Sequence, residues 1–171
     1  MSVTKAVLEK YLQELGHLVS NFDSHIKEIQ EKYKVLIQEA GEWRKKARTY
    51  RTAIGSAMQT TDGQIFGGFN IENTSRSWDD HAEKITTIHA MLYGYEGIKL
   101  RALAIVAKGG VYTSYACPAC GYCLQYLWER AHPDLLLIDA DTEGNVQIAI
   151  PLKLAYRLAW PEKPLPNTKV E

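Results

Sequence analysis

Two short stretches carry the residue types that demanding chemistry needs: His81-Ala82-Glu83 and Cys117-Pro118-Ala119-Cys120-Gly121-Tyr122-Cys123. Together they offer an imidazole nitrogen, thiols that bind metals as thiolates, and a carboxylate that need not be a ligand. A catalytic Zn²⁺ site takes three such protein ligands and keeps a fourth position for water, whose protons a nearby carboxylate can move. Two Cys-x-x-Cys pairings are open, Cys120 with Cys123 or Cys117 with Cys120. Each piece has a plainer reading: a lone His often caps a helix, and a lone Cys-x-x-Cys is often structural or redox-active. The combination is far less often accidental.

Both stretches fall where a helix should begin. There the unpaired backbone N–H groups and the helix dipole stabilise anionic ligands such as thiolates. Ala82 is small enough for a flat ligand to approach the backbone. Asp79 or Asp80 can cap the first of these helices, which runs to about Tyr93 with Ile85, Ile88 and Leu92 on its buried side. The second helix is expected over Leu124–Arg130.

The elements around them read as follows. Residues 5–48 carry Leu8, Leu12, Leu15, Val19, Phe22, Ile26, Ile29, Tyr33, Leu36, Ala40, Trp43 and Ala47 at alternating steps of four and three, a heptad seam. Ser20-Asn21 or Asp23-Ser24 can break it into two helices. The seam suits helices packed on their own domain or a helix that meets its copy in another subunit. Beyond Arg51 the period changes. Ala53–Gln59 and Ile65–Ile71 read as strands joined by a Thr61-Asp62-Gly63-Gln64 turn, with Gly67-Gly68 permitting a bulge or a close backbone approach. Leu100–Ala107 is a mostly apolar run that suits a strand covered on both faces. Leu135–Ile138 and Val146–Ile150 are further strands flanking a turn at Asp141–Gly144. Pro151 opens a terminal helix with Leu152, Leu154, Ala155 and Leu158, and the tail from Pro161 is Pro-rich. A hairpin followed by alternating helices and strands predicts an α/β fold: three layers, α/β/α, around a mixed, roughly five-stranded sheet. The expected division is 1–48 as a helical extension and 49–171 as the zinc domain.

The 171 residues include 20 Lys+Arg and 20 Asp+Glu, so no net charge points to nucleic acid or to a membrane surface. The amino terminus lacks the apolar run of a secretory signal. Three Cys within seven residues fit metal ligation in a reducing compartment better than a disulfide framework. A cytoplasmic protein is expected.

Residues from about Ala53 to Leu158 resemble the cytidine deaminase family. Phe66-Gly-Gly-Phe-Asn70-Ile-Glu72-Asn73-Thr-Ser is similar to that family's Gly-Cys-Asn-Val/Ile-Glu-Asn-Ala-Ser. The eleven-residue steps from Asn70 to His81 and from Glu72 to Glu83 reproduce its spacing. Cys120-Gly-Tyr-Cys123-Leu-Gln125 is similar to its Cys-Gly-x-Cys-Arg-Gln, and His-x-Glu with a later Cys-x-x-Cys is the mark of zinc deaminases. The resemblance implies that His81, Cys120 and Cys123 bind zinc, with Cys117 a bystander. Glu83 would take a proton from the zinc-bound water, whose hydroxide attacks C4, and would deliver protons to N3 and to the departing ammonia. The N–H of Ala82 would hold the pyrimidine carbonyl, and Asn70 and Glu72 the ribose hydroxyls. It implies cytidine or deoxycytidine as substrate and a homo-oligomer, tetramer or dimer.

Departures from the pattern concern the substrate pocket. Ala119 separates Pro118 from Cys120, Leu124 stands for an Arg, and Arg76 and Trp78 occupy a Tyr/Gly-rich loop. Tyr50-Arg-Thr-Ala-Ile-Gly55 replaces Asn-Phe-Pro-Val-Gly, so the family's Phe is missing or its place is taken by Tyr50. These changes leave open a modified nucleoside, a nucleoside antibiotic or a nucleotide, for which Arg51 or Arg76 would meet an anionic group. A zinc-stabilised scaffold without activity is the non-enzymatic alternative.

Overall fold

The computed structural model describes residues 3–108 and 118–156. Cys117, the Gly109-Gly110 loop, Leu158 and the tail from Pro161 lie outside the described residues, as do the side chains of Leu8 and Arg76. The strands are β1 (Ile54–Thr60), β2 (Ile65–Phe69), β3 (Leu100–Ala107), β4 (Leu136–Ala140) and β5 (Val146–Pro151). They form one sheet in the order β2-β1-β3-β4-β5, antiparallel except for the β3/β4 pair.

Central strand β3 shows why its run is so uniformly apolar. Alternate residues face opposite sides of a strand. Ala102, Ala104 and Val106 join the core under helices α2 (Phe22–Lys32) and α3 (Lys34–Arg44), which contribute Ile29, Leu36, Ile37 and Ala40. Leu103, Ile105 and Ala107 face the other way. They pack with Ala90 of α4 (Ala82–Leu92) and with Cys123, Leu124 and Leu127 of α5 (Gly121–Arg130). The expected three-layer α/β/α arrangement around five strands is the observed one.

The heptad seam is divided rather than continuous. The chain leaves helical geometry at Asn21 and again at Tyr33, giving α1 (Val3–Ser20), α2 and α3. Ile29, Tyr33, Leu36 and Ala40 of the seam face the protein's own sheet. Leu12 and Val19 instead are 62% and 65% exposed. Among the described side chains of α1, the apolar Tyr11 and Leu18, on a rotated face, touch the cluster of Ile148, Ile150 and Leu154, and Glu14 lies 3.6 Å from Lys153. Leu154 belongs to the short terminal helix α6 (Leu152–Ala155).

Several boundaries differ from expectation. β2 ends at Phe69, and Ile71 bridges Arg48 and Asp80 beyond it. α5 opens at Gly121, three residues earlier than its apolar pattern indicates, and α4 starts at Ala82 with His81, not an aspartate, as its N-cap. The Thr61–Gln64 turn forms as read, with Gly63 at φ 89°.

The Gly67-Gly68 pair makes a close approach and no bulge, since the β1/β2 register runs unbroken from Gly55↔Phe69 to Gln59↔Ile65. A Cβ on Gly67 would overlap the Trp43 indole on the α3 side. One on Gly68 would lie 2.7 Å from the Thr86 nitrogen and hydroxyl on the α4 side. Two adjacent glycines thus seat helices against both faces of an edge strand. Gly55 is tighter still, because its added Cβ would collide with the backbone at Ala40 and Arg44 of α3. Gly55→Ala should therefore cost about 1–3 kcal/mol, the usual range for overpacking. Gly16→Ala, with nothing within 4 Å in an exposed helix, should be neutral or stabilising. Urea midpoints of the two variants check this; equal midpoints would contradict the packing argument.

Candidate active site and metal centre

Two helix amino termini converge above the sheet. His81 caps α4 with φ −85° and ψ 143°, and Cys120 caps α5 with φ −72° and ψ 163°, and neither helix has a side-chain cap. The third residue of α5 is the buried Cys123. His81 Nδ1 lies 3.4 Å from Cys120 Sγ and 3.2 Å from Cys123 Sγ. One ligand atom from each of the three falls within 4.8 Å of the others, which makes this a group able to hold a metal ion. Among the described residues, the structure brings Cys120 and Cys123 to His81.

The electrostatics follow from burial and contact. Hydrogen bonding from Cys123 and from His81 outweighs burial and pulls the Cys120 thiol down to about 4. Cys123 is pushed up, first by its hydrogen bond to Cys120 and then by burial. His81 is raised by its hydrogen bond to Cys120, against the effect of burial. Glu83, the second residue of α4, is 4% exposed, and burial raises its carboxyl above the usual carboxylate range. The Tyr122 ring stands edge-on to His81 at 5.4 Å between centroids, a contact suggested only by its place inside Cys-Gly-Tyr-Cys.

A cavity of about 350 Å³ opens beside this cluster. It brings together the expected Asn70, Glu72, Ala82 and Glu83 with His81 and Cys120. Its walls add Arg51, Thr52 and Ile54 from before and within β1, Asp79 and Asp80 before α4, and Ala107 at the end of β3. Ile54 and Ala107 meet there because they are paired across β1 and β3. No local pattern in the sequence foretells that neighbourhood, and the two aspartates read as caps.

Asn70 and Glu72 hold one wall in shape. Asn70 Oδ1 accepts the Ile54 N–H at 2.8 Å while its Nδ2 donates to the Thr52 carbonyl at 2.8 Å. The Glu72 carboxylate accepts N–H groups of Tyr50 at 2.7 Å, Arg51 at 2.9 Å and Thr52 at 3.4 Å. The Arg51 guanidinium lies 3.7 Å from Glu72 and 3.5 Å from Asp79 Oδ2, and Asp79 Oδ1 accepts the Asn73 N–H at 2.6 Å.

No family model matches the chain. It is 30% identical over 97 residues to the cytidine deaminase of Halalkalibacterium halodurans, a match covering 57% of this chain and 69% of that one. The cytidine deaminase of Sporosarcina psychrophila is 30% identical over 101 residues, covering 59% and 70%. The chain belongs to the cytidine deaminase family. Among solved structures, the cytidine deaminase of Burkholderia pseudomallei aligns with a TM-score of 0.66 and 27% identity, over 75% of this chain and 98% of that one. Family membership and the structural likeness agree.

The donor set of this cytidine deaminase family member fits a zinc ion: one imidazole nitrogen and two thiols, with no fourth His, Cys, Asp or Glu in the group among the described residues. Protein supplied with zinc should retain it after gel filtration, whereas Cys120→Ser and Cys123→Ser should not and Cys117→Ser should. Metal analysis by emission spectroscopy decides, and zinc lost from Cys117→Ser would reassign the ligands.

Glu72 generates a separate expectation. Burial raises its carboxyl, but the three backbone N–H groups and the Arg51 charge outweigh it and leave the group below its ordinary 4.5. A carboxyl lowered by folding adds stability that is present above its unfolded value and lost as pH falls through its folded one. Acid unfolding of Glu72→Gln should therefore lack part of the wild-type slope below about pH 4.5. Identical slopes would show that the carboxylate contributes nothing there.

Proposed function

We propose that the protein catalyses the zinc-dependent hydrolytic deamination of cytidine or deoxycytidine, giving uridine or deoxyuridine and ammonia. The observation that carries this reading is a buried carboxylate, Glu83, set two residues from His81 in a cavity that also holds Cys120. Support comes too from the relatives above, which are named cytidine deaminases. His81, Cys120 and Cys123 would hold the zinc, which would supply the Lewis acidity that makes water nucleophilic near neutral pH.

The chain's own residues do the rest. Glu83 moves protons: its carboxylate would accept one from water and deliver it to N3 of the pyrimidine, then take the second from the hydroxyl added at C4 and pass it to the amino group, which leaves as ammonia while C4 becomes a carbonyl. Burial suits it to this, since a carboxyl raised above its usual range exchanges protons more readily near neutrality. The Ala82 N–H, in the first turn of α4, donates to the pyrimidine carbonyl with the helix dipole behind it. Asn70 and Glu72 face the sugar. Their bonds to residues 50–54 fix their orientation, and a carboxylate has lone pairs left for a hydroxyl.

Charge counts against a nucleotide. Arg51 is the one Arg or Lys among the described lining residues, and it lies between Glu72 and Asp79, with Asp80 and Glu83 on the same cavity. A phosphate would meet more carboxylate than guanidinium there.

Zinc-loaded protein should release ammonia from cytidine or deoxycytidine in a coupled assay. Glu83→Gln should lower kcat by at least about a hundredfold while keeping zinc. Because Glu83 must begin as a carboxylate with a raised pKa, kcat/KM should fall with acid above the range of an ordinary carboxyl. Absence of turnover from every pyrimidine nucleoside by zinc-loaded protein would sink the proposal.

A further inference from the structure

His81 presents its imidazole from a cap position. Its backbone is extended, with φ −85° and ψ 143°, so its side chain escapes the rotamer limits of a helical turn. A ligating imidazole needs its plane fixed by contacts beyond the metal, because a nitrogen turned away from the ion is a ligand lost. One such contact comes from the other helix. Tyr122 is the second residue of α5, between the two thiol-bearing positions Cys120 and Cys123. Its ring centroid lies 5.4 Å from that of His81, with the two planes 60° apart.

We infer that Tyr122 is a positioning residue for the metal centre, its ring holding the His81 imidazole with Nδ1 turned to the thiols. This rests on the zinc reading above and adds to it a residue outside the ligand set. Three features support it. The separation and tilt suit an edge-to-face aromatic pair, whose centroids lie about 4.5–7 Å apart. Nδ1 of the same imidazole lies 3.4 Å from Cys120 Sγ and 3.2 Å from Cys123 Sγ, so one turn of α5 bears on that ring through its thiols and through Tyr122. The first turn of α4 also reaches back to the tyrosine. Lys84 donates to Asp80 Oδ1 at 2.8 Å, and its ammonium lies 6.0 Å from the centre of the Tyr122 ring.

Tyr122 acts from a second cavity, of about 270 Å³, which it lines with Asp80, His81 and Lys84. Asp80 and His81 line the larger cavity as well. The influence of Tyr122 on the larger cavity therefore passes through His81. The side chain is 52% exposed and carries little of the core, so its replacement tests the imidazole rather than the fold. A ligand ring held in place before the ion arrives loses little freedom on binding it.

Zinc affinity is read by competition with a chromophoric chelator. Cobalt(II) in the same site reports ligand geometry through its visible absorption. Tyr122→Ala should raise the zinc dissociation constant about tenfold, the usual scale for losing a contact that orients a ligand, and should shift the cobalt bands. Tyr122→Phe keeps the ring and should stay within about threefold of wild type with unshifted bands. Tyr122→Leu keeps apolar bulk without an aromatic ring and should behave as Ala does. Wild-type affinity in the Leu variant would show that bulk alone suffices and overturn the inference. A loss in Phe equal to that in Ala would assign the effect to the hydroxyl and overturn it too. Should Tyr122→Ala fail to fold, the Leu and Phe variants decide.

A second background tests whether the effect passes through the imidazole. In His81→Cys, where three thiols offer to hold the ion, Tyr122→Ala should change zinc affinity by less than about threefold. A tenfold loss there as well would reveal a general effect on α5 and reject positioning. If His81→Cys holds no zinc, the Leu and Phe comparison decides. With zinc saturating, the cytidine KM of Tyr122→Ala should stay within about threefold of wild type. A rise in KM alone, with zinc affinity unchanged, would place Tyr122 against the substrate and reject the inference. Failure of the wild-type protein to hold zinc or cobalt defeats the metal reading and this inference with it. Wild-type protein that holds zinc, with Ala and Leu variants unaffected, defeats this inference alone.

Discussion

The structure depends on two helix amino termini being held open at one point. His81 and Cys120 both occupy N-cap positions, and no side chain caps either helix. The first-turn N–H groups and the helix dipoles therefore act on the cluster of thiols and imidazole between them. Thiolates crowded this closely are unfavourable unless positive potential or a metal offsets them. Two converging helix ends supply part of that offset from the backbone alone, before any ligand contributes.

Convergence is a matter of packing on one side of one sheet. α4 lies against β2 and β1, α5 follows β3, and both bury apolar residues in a single cluster with Leu103, Ile105 and Leu127. The approach of α4 is set by Gly68, whose missing side chain makes room for Thr86. On the opposite face α2 and α3 cover Ala57, Ala102 and Ala104, and small residues there let Ala40 come close to the sheet. The cavity forms where the carboxyl end of β3 meets the amino end of the antiparallel β1, with Ala107 opposite Ile54. Helix placement on both faces thus fixes the depth and the floor of the site.

The pocket wall obeys a different rule. Residues 50–54 belong to no helix and only begin a strand, so their shape comes from polar side chains that bond their backbone. Asn70 and Glu72 do this, and they are also cavity residues. Support of the wall and lining of the cavity are therefore joined in the same two side chains. A change at either would move the wall as well as remove a contact.

Much of this was legible in the chain itself. His81, Glu83, Cys120 and Cys123 stand out by residue type and spacing, and β3 by its unbroken apolar run, because ligand chemistry and the period of a strand are local properties. The Gly67-Gly68 pair announced a close approach without naming the partners, Trp43 and Thr86, which lie far away in sequence. Other features needed the third dimension. The heptad seam reads the same along α1 to α3, but only packing decides that Leu36 and Ala40 are buried while Leu12 and Val19 are not. The approach of Cys120 and Cys123 to His81 likewise follows from distances between helix ends, which sequence spacing alone does not fix. Arg51, Asp79 and Ala107 share a cavity because strand pairing and loop closure bring them there. Sequence by itself determined which atoms can do the chemistry, since that is written in side-chain type and local spacing. The tertiary structure decided which of them meet and what surrounds them, since neighbours across a sheet share no sequence period.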